Sequence, residues 1–156
     1  MGTLDERVTR LAESQPGISA LMIFGSRASG SPRPDSDLDI GVLPDSSDPQ
    51  VRRTLQSQLA VALADLAPTG RVDVVLMDEA PDLLRQRILE TGRVLICRDP
   101  AAFQDLRVRT MREHGDREWV RRILRTAQRR RLEQGNPSGR SGRALESLGR
   151  VGKLPR

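Results

Sequence analysis

The chain has 156 residues, a net charge of +5, 37% hydrophobic and 30% charged residues, which fits one ordinary globular domain able to bury a core without covalent staples. A single cysteine, Cys97, and a single histidine, His114, exclude a disulfide framework and a zinc finger. The three aromatics, Phe24, Phe103 and Trp119, are too few for a base-stacking platform. The first six residues, Met-Gly-Thr-Leu-Asp-Glu, do not form a signal peptide, and no apolar run reaches membrane-spanning length. A cytoplasmic protein without membrane attachment is the expectation.

In chain order, Leu4, Val8 and Leu11 are spaced for a short helix over 4–14, which Pro16-Gly17 ends. Ile18–Phe24 is a compact apolar run and reads as a strand. Residues 29–36 carry Ser, Gly, Pro and Asp, so the segment after Gly25-Ser26 is a loop with at most a brief helix. Residues 37–43 read as a second strand. Ser47 or Asp48 is placed to cap a helix over 50–66, which Pro68-Thr69-Gly70 stops. A third strand spans 72–77. Pro81 opens a helix to about Glu90, with Gly92 at its C-cap. Val94–Cys97 is a fourth strand, in which Cys97 is expected as a small core residue. A long helix follows over 100–133, with a break or bend expected at Gly115.

Charge divides unevenly. Residues 1–100 carry 11 Arg against 15 Asp and Glu, a balance of −4; residues 101–156 carry 15 Lys and Arg against 6 Asp and Glu, a balance of +9. A solvated helix face followed by a loose basic tail over 134–156 accounts for this. Direct nucleic-acid binding is not expected. The Trp119–Ala127 stripe reads as packing, with a partner-helix interface as the sharper alternative.

The segment with the most chemistry is Phe24-Gly25-Ser26-Arg27-Ala28-Ser29-Gly30, followed by Asp35-Ser36-Asp37-Leu38-Asp39. Side chains alternate along a strand, so Asp37 and Asp39 would share a face. Like charges so close are costly without a cation between them, and hard divalent cations prefer such oxygen ligands. Asp73 repeats the pattern inside Val72-Asp73-Val74-Val75-Leu76, where a buried charge would need a partner or a metal. Gly25 allows a ligand close to the backbone, and the Ser26 hydroxyl can bond a phosphate oxygen. Arg27 either touches phosphate or is simply solvated. Asp-Ser-Asp-Leu-Asp alone would serve equally as a surface turn. The whole Gly-Ser-x10-Asp-x-Asp pattern, however, arises by chance in only about one chain of this length in 160 if positions are independent.

These residues resemble the active-site motif of the DNA polymerase β-like nucleotidyltransferase superfamily, and the short chain with Gly-Ser-Arg-Ala-Ser-Gly and Val-Asp-Val-Val is similar to its minimal nucleotidyltransferase (MNT) branch. The resemblance implies an α/β (α+β) nucleotidyltransferase fold, a mixed sheet of about four strands with helices mainly on one face. It implies that Gly25, Ser26 and Arg27 bind the nucleotide, and that Asp37, Asp39 and Asp73 are catalytic and hold two Mg²⁺ ions. ATP would be the substrate. Many members of the branch act as antitoxins beside a HEPN-type RNase toxin, so a hetero-oligomer in which AMP passes to a toxin hydroxyl is the expected function. A small-molecule nucleotidyltransferase and a non-catalytic binding antitoxin are the competing readings.

Overall fold

The structure is a computed structural model that describes residues 2–30 and 33–133, side chains excepted at several positions from 116 onward. The elements in chain order are α1 (Leu4–Glu13), β1 (Ile18–Phe24), a single 3₁₀ turn (Gly25–Arg27), β2 (Leu38–Pro44), α2 (Pro49–Leu63), a second 3₁₀ turn (Ala64–Leu66), β3 (Val72–Leu76), α3 (Asp82–Thr91), β4 (Arg93–Cys97) and α4 (Pro100–Glu133). The described residues divide into two units, with the boundary between Asp116 and Arg117. The expected tail over 134–156 lies outside the described residues. Among the described residues no helix is long and apolar enough to cross a membrane.

Local chemistry sets the element ends. Thr3 and Glu6 form a reciprocal capping box at the start of α1, with bonds of 3.1 and 3.2 Å. Asp48 caps α2 by accepting from the Gln50 and Val51 amides, just ahead of Pro49. Pro81 stands at the N-cap position of α3, one residue before the helix and without a side-chain capping bond, and Gly92 ends the helix without a left-handed turn. Helical structure runs through Gly115 and does not stop there.

The four strands form one mixed sheet in the order β3-β2-β1-β4. β1 pairs antiparallel with β2 and β4, while β2 and β3 are parallel, as the helical crossover through α2 requires. Helices pack against both faces, where the sequence reading placed them mainly on one. Val8 and Ala12 of α1 and Leu55, Leu59 and Leu63 of α2 pack on Leu21, Ile23, Ile40 and Val42. Ile88 of α3 and Phe103 and Leu106 of α4 pack on Ala20, Met22, Phe24 and Leu43. The physical cause is the unbroken apolar run of β1, buried at all seven positions, which one-sided cover would leave half in water. Gly41 lets the second layer approach: a Cβ there would lie 3.0 Å from Ile88 and 3.1 Å from Met77.

Both outer strands are edges, which corrects two further expectations. β4 leaves Cys97 exposed, not in the core. β3 is covered at Val74 and Leu76 but leaves Asp73 exposed.

Arg52 of α2 is buried although charged. It donates to Asp78 Oδ1 at 2.6 Å, Glu79 Oε1 at 2.7 Å and the Ser46 carbonyl at 3.0 Å, and the Asp78 hydrogen bond is the main reason its charged form is reinforced. This tie joins the segments that leave β2 and β3. Arg52→Met is expected to cost about 2 kcal/mol in urea unfolding, below the usual range for a broken buried pair because Glu79 reaches water. The measurement should show a lowered midpoint with an unchanged slope.

Candidate active site

The expected site residues converge at the end of the sheet where β1 finishes and β2 and β3 begin. Asp39 and Asp73 are register partners on adjacent parallel strands. Their neighbours Ile40 and Val74 both enter the first core layer, so the two carboxylates, one residue earlier, share the opposite face. Asp39 also pairs with Phe24 across the antiparallel side. The chain turns immediately after Phe24, and this brings Gly25 against Asp39. Gly25 has φ +71°, and a Cβ built there would run into Asp39 Oδ2 and lie 3.0 Å from its Cγ. Glycine is therefore demanded twice at this position, by conformation and by contact.

Asp37 lies one residue ahead of β2, not within it as the alternation reading required. Its carboxylate accepts from Thr69 Oγ1 at 3.0 Å and sits 3.5 Å from Arg71 Nε. Arg27 is neither simply solvated nor aimed at open space. Its Nη2 donates to the Ser36 carbonyl at 2.8 Å and its Nε to the Asp37 carbonyl at 3.3 Å. It thus fastens the segment that delivers Asp37. Ser26 stands in the middle of the 3₁₀ turn beside Gly25.

The electrostatics show one concentrated negative site. Asp39 has its pKa raised first by burial, then by the charges of Asp73 and Asp37, with Arg27 and Arg87 opposing. Among the described residues no three His, Cys, Asp or Glu side chains close into a metal cage; Asp37 is drawn toward Thr69 and Arg71 while Asp39 and Asp73 stand side by side. An open set of hard carboxylate oxygens under mutual repulsion suits a divalent cation that completes its shell with phosphate oxygens and water.

Sequence reasoning missed several residues that shape this end of the sheet. Arg93, the first residue of β4, makes a bidentate pair with Asp5 of α1 at 2.9 and 3.0 Å and donates to the Ala28 carbonyl at 2.8 Å. It therefore braces the turn that holds Gly25 and Ser26. Arg87 of α3 contributes positive potential at Asp39. His114, the single histidine, lines a groove between α3 and α4 with Leu89 and Met111.

Residues 6–101 match the family described as Polymerase beta, Nucleotidyltransferase. No curated protein matches the sequence significantly. The fold is similar to that of solved structures. A chain of a toxin-antitoxin crystal structure with AMP-PNP is 24% identical, with a TM-score of 0.59, over 79% of this chain and 96% of that one. A chain of the MntA-HepT toxin-antitoxin is 22% identical, with a TM-score of 0.53, over 80% and 95%. A chain of a tri-AMPylated Shewanella oneidensis HEPN toxin in complex with an MNT antitoxin is 22% identical, with a TM-score of 0.54, over 80% and 94%.

Proposed function

The chain belongs to the polymerase beta nucleotidyltransferase family, and from that premise we propose that it moves AMP from ATP to a hydroxyl, a tyrosine of a HEPN-type RNase toxin, and so acts as that toxin's antitoxin. The observation that carries the reading is the register pairing of Asp39 with Asp73 on one face, directly beside Gly25. The similar structures described with AMP-PNP and with a tri-AMPylated HEPN toxin support the choice of nucleotide and acceptor.

Each residue has a role in this reading. Gly25 and Ser26 cradle the triphosphate, the glycine by close approach and the serine by its hydroxyl. Arg27 supports the nucleotide indirectly, by holding the segment 36–37 in place. Asp37 and Asp39 would hold two Mg²⁺ ions, and Asp73 would contribute a further carboxylate on the acceptor side. The metal would supply neutralisation of the charge that develops on the phosphate. The acceptor oxygen forms its bond to the α-phosphorus as the bond to the bridging oxygen breaks and pyrophosphate leaves. The hydroxyl proton passes to the Asp73 carboxylate and on to water. Positioning and charge do nearly all the work in such a transfer.

The exposure of Asp73 on an edge strand favours a macromolecular acceptor. That side of the site is open, so a partner protein can bring its own hydroxyl to it. Use of ATP as the AMP donor goes with a cytoplasmic setting for this reading. Incubation with ATP labelled at the α-phosphate, Mg²⁺ and the co-expressed toxin tests the reading. Label on the toxin is the expected result. Label only on a small acceptor, such as an aminoglycoside, would move the chain to the small-molecule class.

A further inference from the structure

The loop 68–71, which leads into β3, holds more of the site than a turn needs to. Thr69 Oγ1 donates to Asp37 Oδ1 at 3.0 Å and accepts from the Arg71 amide at 3.2 Å. The Leu38 amide donates to the Arg71 carbonyl at 3.1 Å, and Arg71 Nε stands 3.5 Å from the same Asp37 Oδ1. Asp37 lies ahead of β2, where ladder pairing begins only at Leu38 with Val72. Strand geometry therefore does not fix its carboxylate. The Thr69 hydroxyl does, and it belongs to the loop that continues into Asp73. This bond adds a side-chain tie between the acid in front of β2 and the strand carrying its partner acid.

Resting on the metal-dependent reading above, we propose that Thr69 is a positioning residue that orients Asp37 for a divalent cation, while Arg71 is a cation that competes for the same carboxylate. Thr69 engages one lone pair of Oδ1, so the carboxylate keeps acceptor capacity for a cation. Hydrogen bonds that orient a ligating carboxylate commonly matter ten- to a hundred-fold in metal affinity. The Arg71 side chain is 76% exposed and Asp37 45%, so that pair is weak and easily displaced. The plainer role for Thr69 is a turn hydroxyl satisfying the Arg71 amide, which the Asp37 contact does not require.

The two roles separate by Mn²⁺ titration of the full chain with an ATP analogue that cannot be cleaved between α- and β-phosphates, followed by electron paramagnetic resonance. Thr69→Val should weaken Mn²⁺ binding about ten- to a hundred-fold, and Thr69→Ser should restore it. Arg71→Met should tighten binding about two- to five-fold, the scale of an exposed ion pair. Opposite signs at two positions of one loop would not follow from general loosening of the loop. Wild-type affinity in Thr69→Val, or equal loss in Thr69→Val and Thr69→Ser, overturns the proposal; if the valine variant fails to fold, Thr69→Ala is read in its place. Asp39→Asn distinguishes the levels. If it loses Mn²⁺ while Thr69→Val does not, only the role of Thr69 falls. If it binds Mn²⁺ like the wild type, the metal reading of the site falls as well.

Discussion

Asp39→Asn is expected to lower AMP transfer about 10³-fold, the loss of several kcal/mol of charge stabilisation at the reacting phosphate. In the nucleotide-free protein it should have the opposite effect on stability and raise the melting temperature at neutral pH. Burial and the charges of Asp73 and Asp37 raise the Asp39 pKa above its ordinary value of 3.8. In the window above 3.8 and below its raised value, the folded state binds more protons than the unfolded state. Stability contributed by this group therefore falls as pH rises through that window, and the penalty stays in force above it. Asparagine removes the penalty. The melting-temperature gain should be fullest at neutral pH and vanish as pH drops below the ordinary carboxylate range. The same variant should lose the stabilisation that Mg-ATP gives by binding the native state. A variant less stable than wild type at pH 7 yet level with it at pH 3 would show that Asp39 is a favourable structural charge, and the electrostatic account of the site would fail.

Gly25→Ala should damage both fold and function. An alanine at φ +71° costs about 1–2 kcal/mol in backbone strain alone, and its Cβ displaces the Asp39 carboxylate. Misplacing a reacting group by about 1 Å can cost 10²-fold in rate, so transfer should fall by about that factor. Gly30→Ala is the matched control. Gly30 has φ +78° but nothing within 4 Å of a Cβ, so it bears the strain without the crowding. Urea unfolding of both variants, with transfer rates alongside, separates the two contributions. Equal transfer by the two would mean that the contact between Gly25 and Asp39 has no part in the chemistry.

Much of this site is legible in the sequence because its parts are local patterns. Phe24-Gly25-Ser26 at the end of an apolar run marks a strand turning sharply, and Asp37-Leu38-Asp39 ahead of Ile40 marks acids at the mouth of the next strand. Sheet order is not local, and this is why Asp73 reads as buried yet is exposed: nothing in Val72–Leu76 says that β3 lies at an edge. Cys97 is misplaced for the same reason at the other edge. The covering of both faces was readable in principle from the unbroken apolar run of β1. The supporting residues are the least legible. Arg93 meets Asp5 from 88 positions away and Thr69 meets Asp37 from 32, and neither pairing follows from spacing. Arg27 shows the limit of composition: its place in a glycine-serine turn suggests phosphate, while its bonds go to the Ser36 and Asp37 carbonyls.

An active site at the end of the sheet holding Asp37, Asp39 and Asp73 should modify a partner protein covalently. Intact-mass spectrometry of the HEPN-type toxin tests it most directly, after incubation with this chain, ATP and Mg²⁺. A gain of one or more AMP units on the toxin is expected with the wild-type chain and with Arg52→Met at a temperature where that variant is folded. With Asp37→Asn, Asp39→Asn or Asp73→Asn the toxin should stay at its unmodified mass over the time in which the wild type modifies it fully. Toxin neutralised without a change in mass, or neutralised equally by the asparagine variants, would contradict it and leave an antitoxin that works by binding alone.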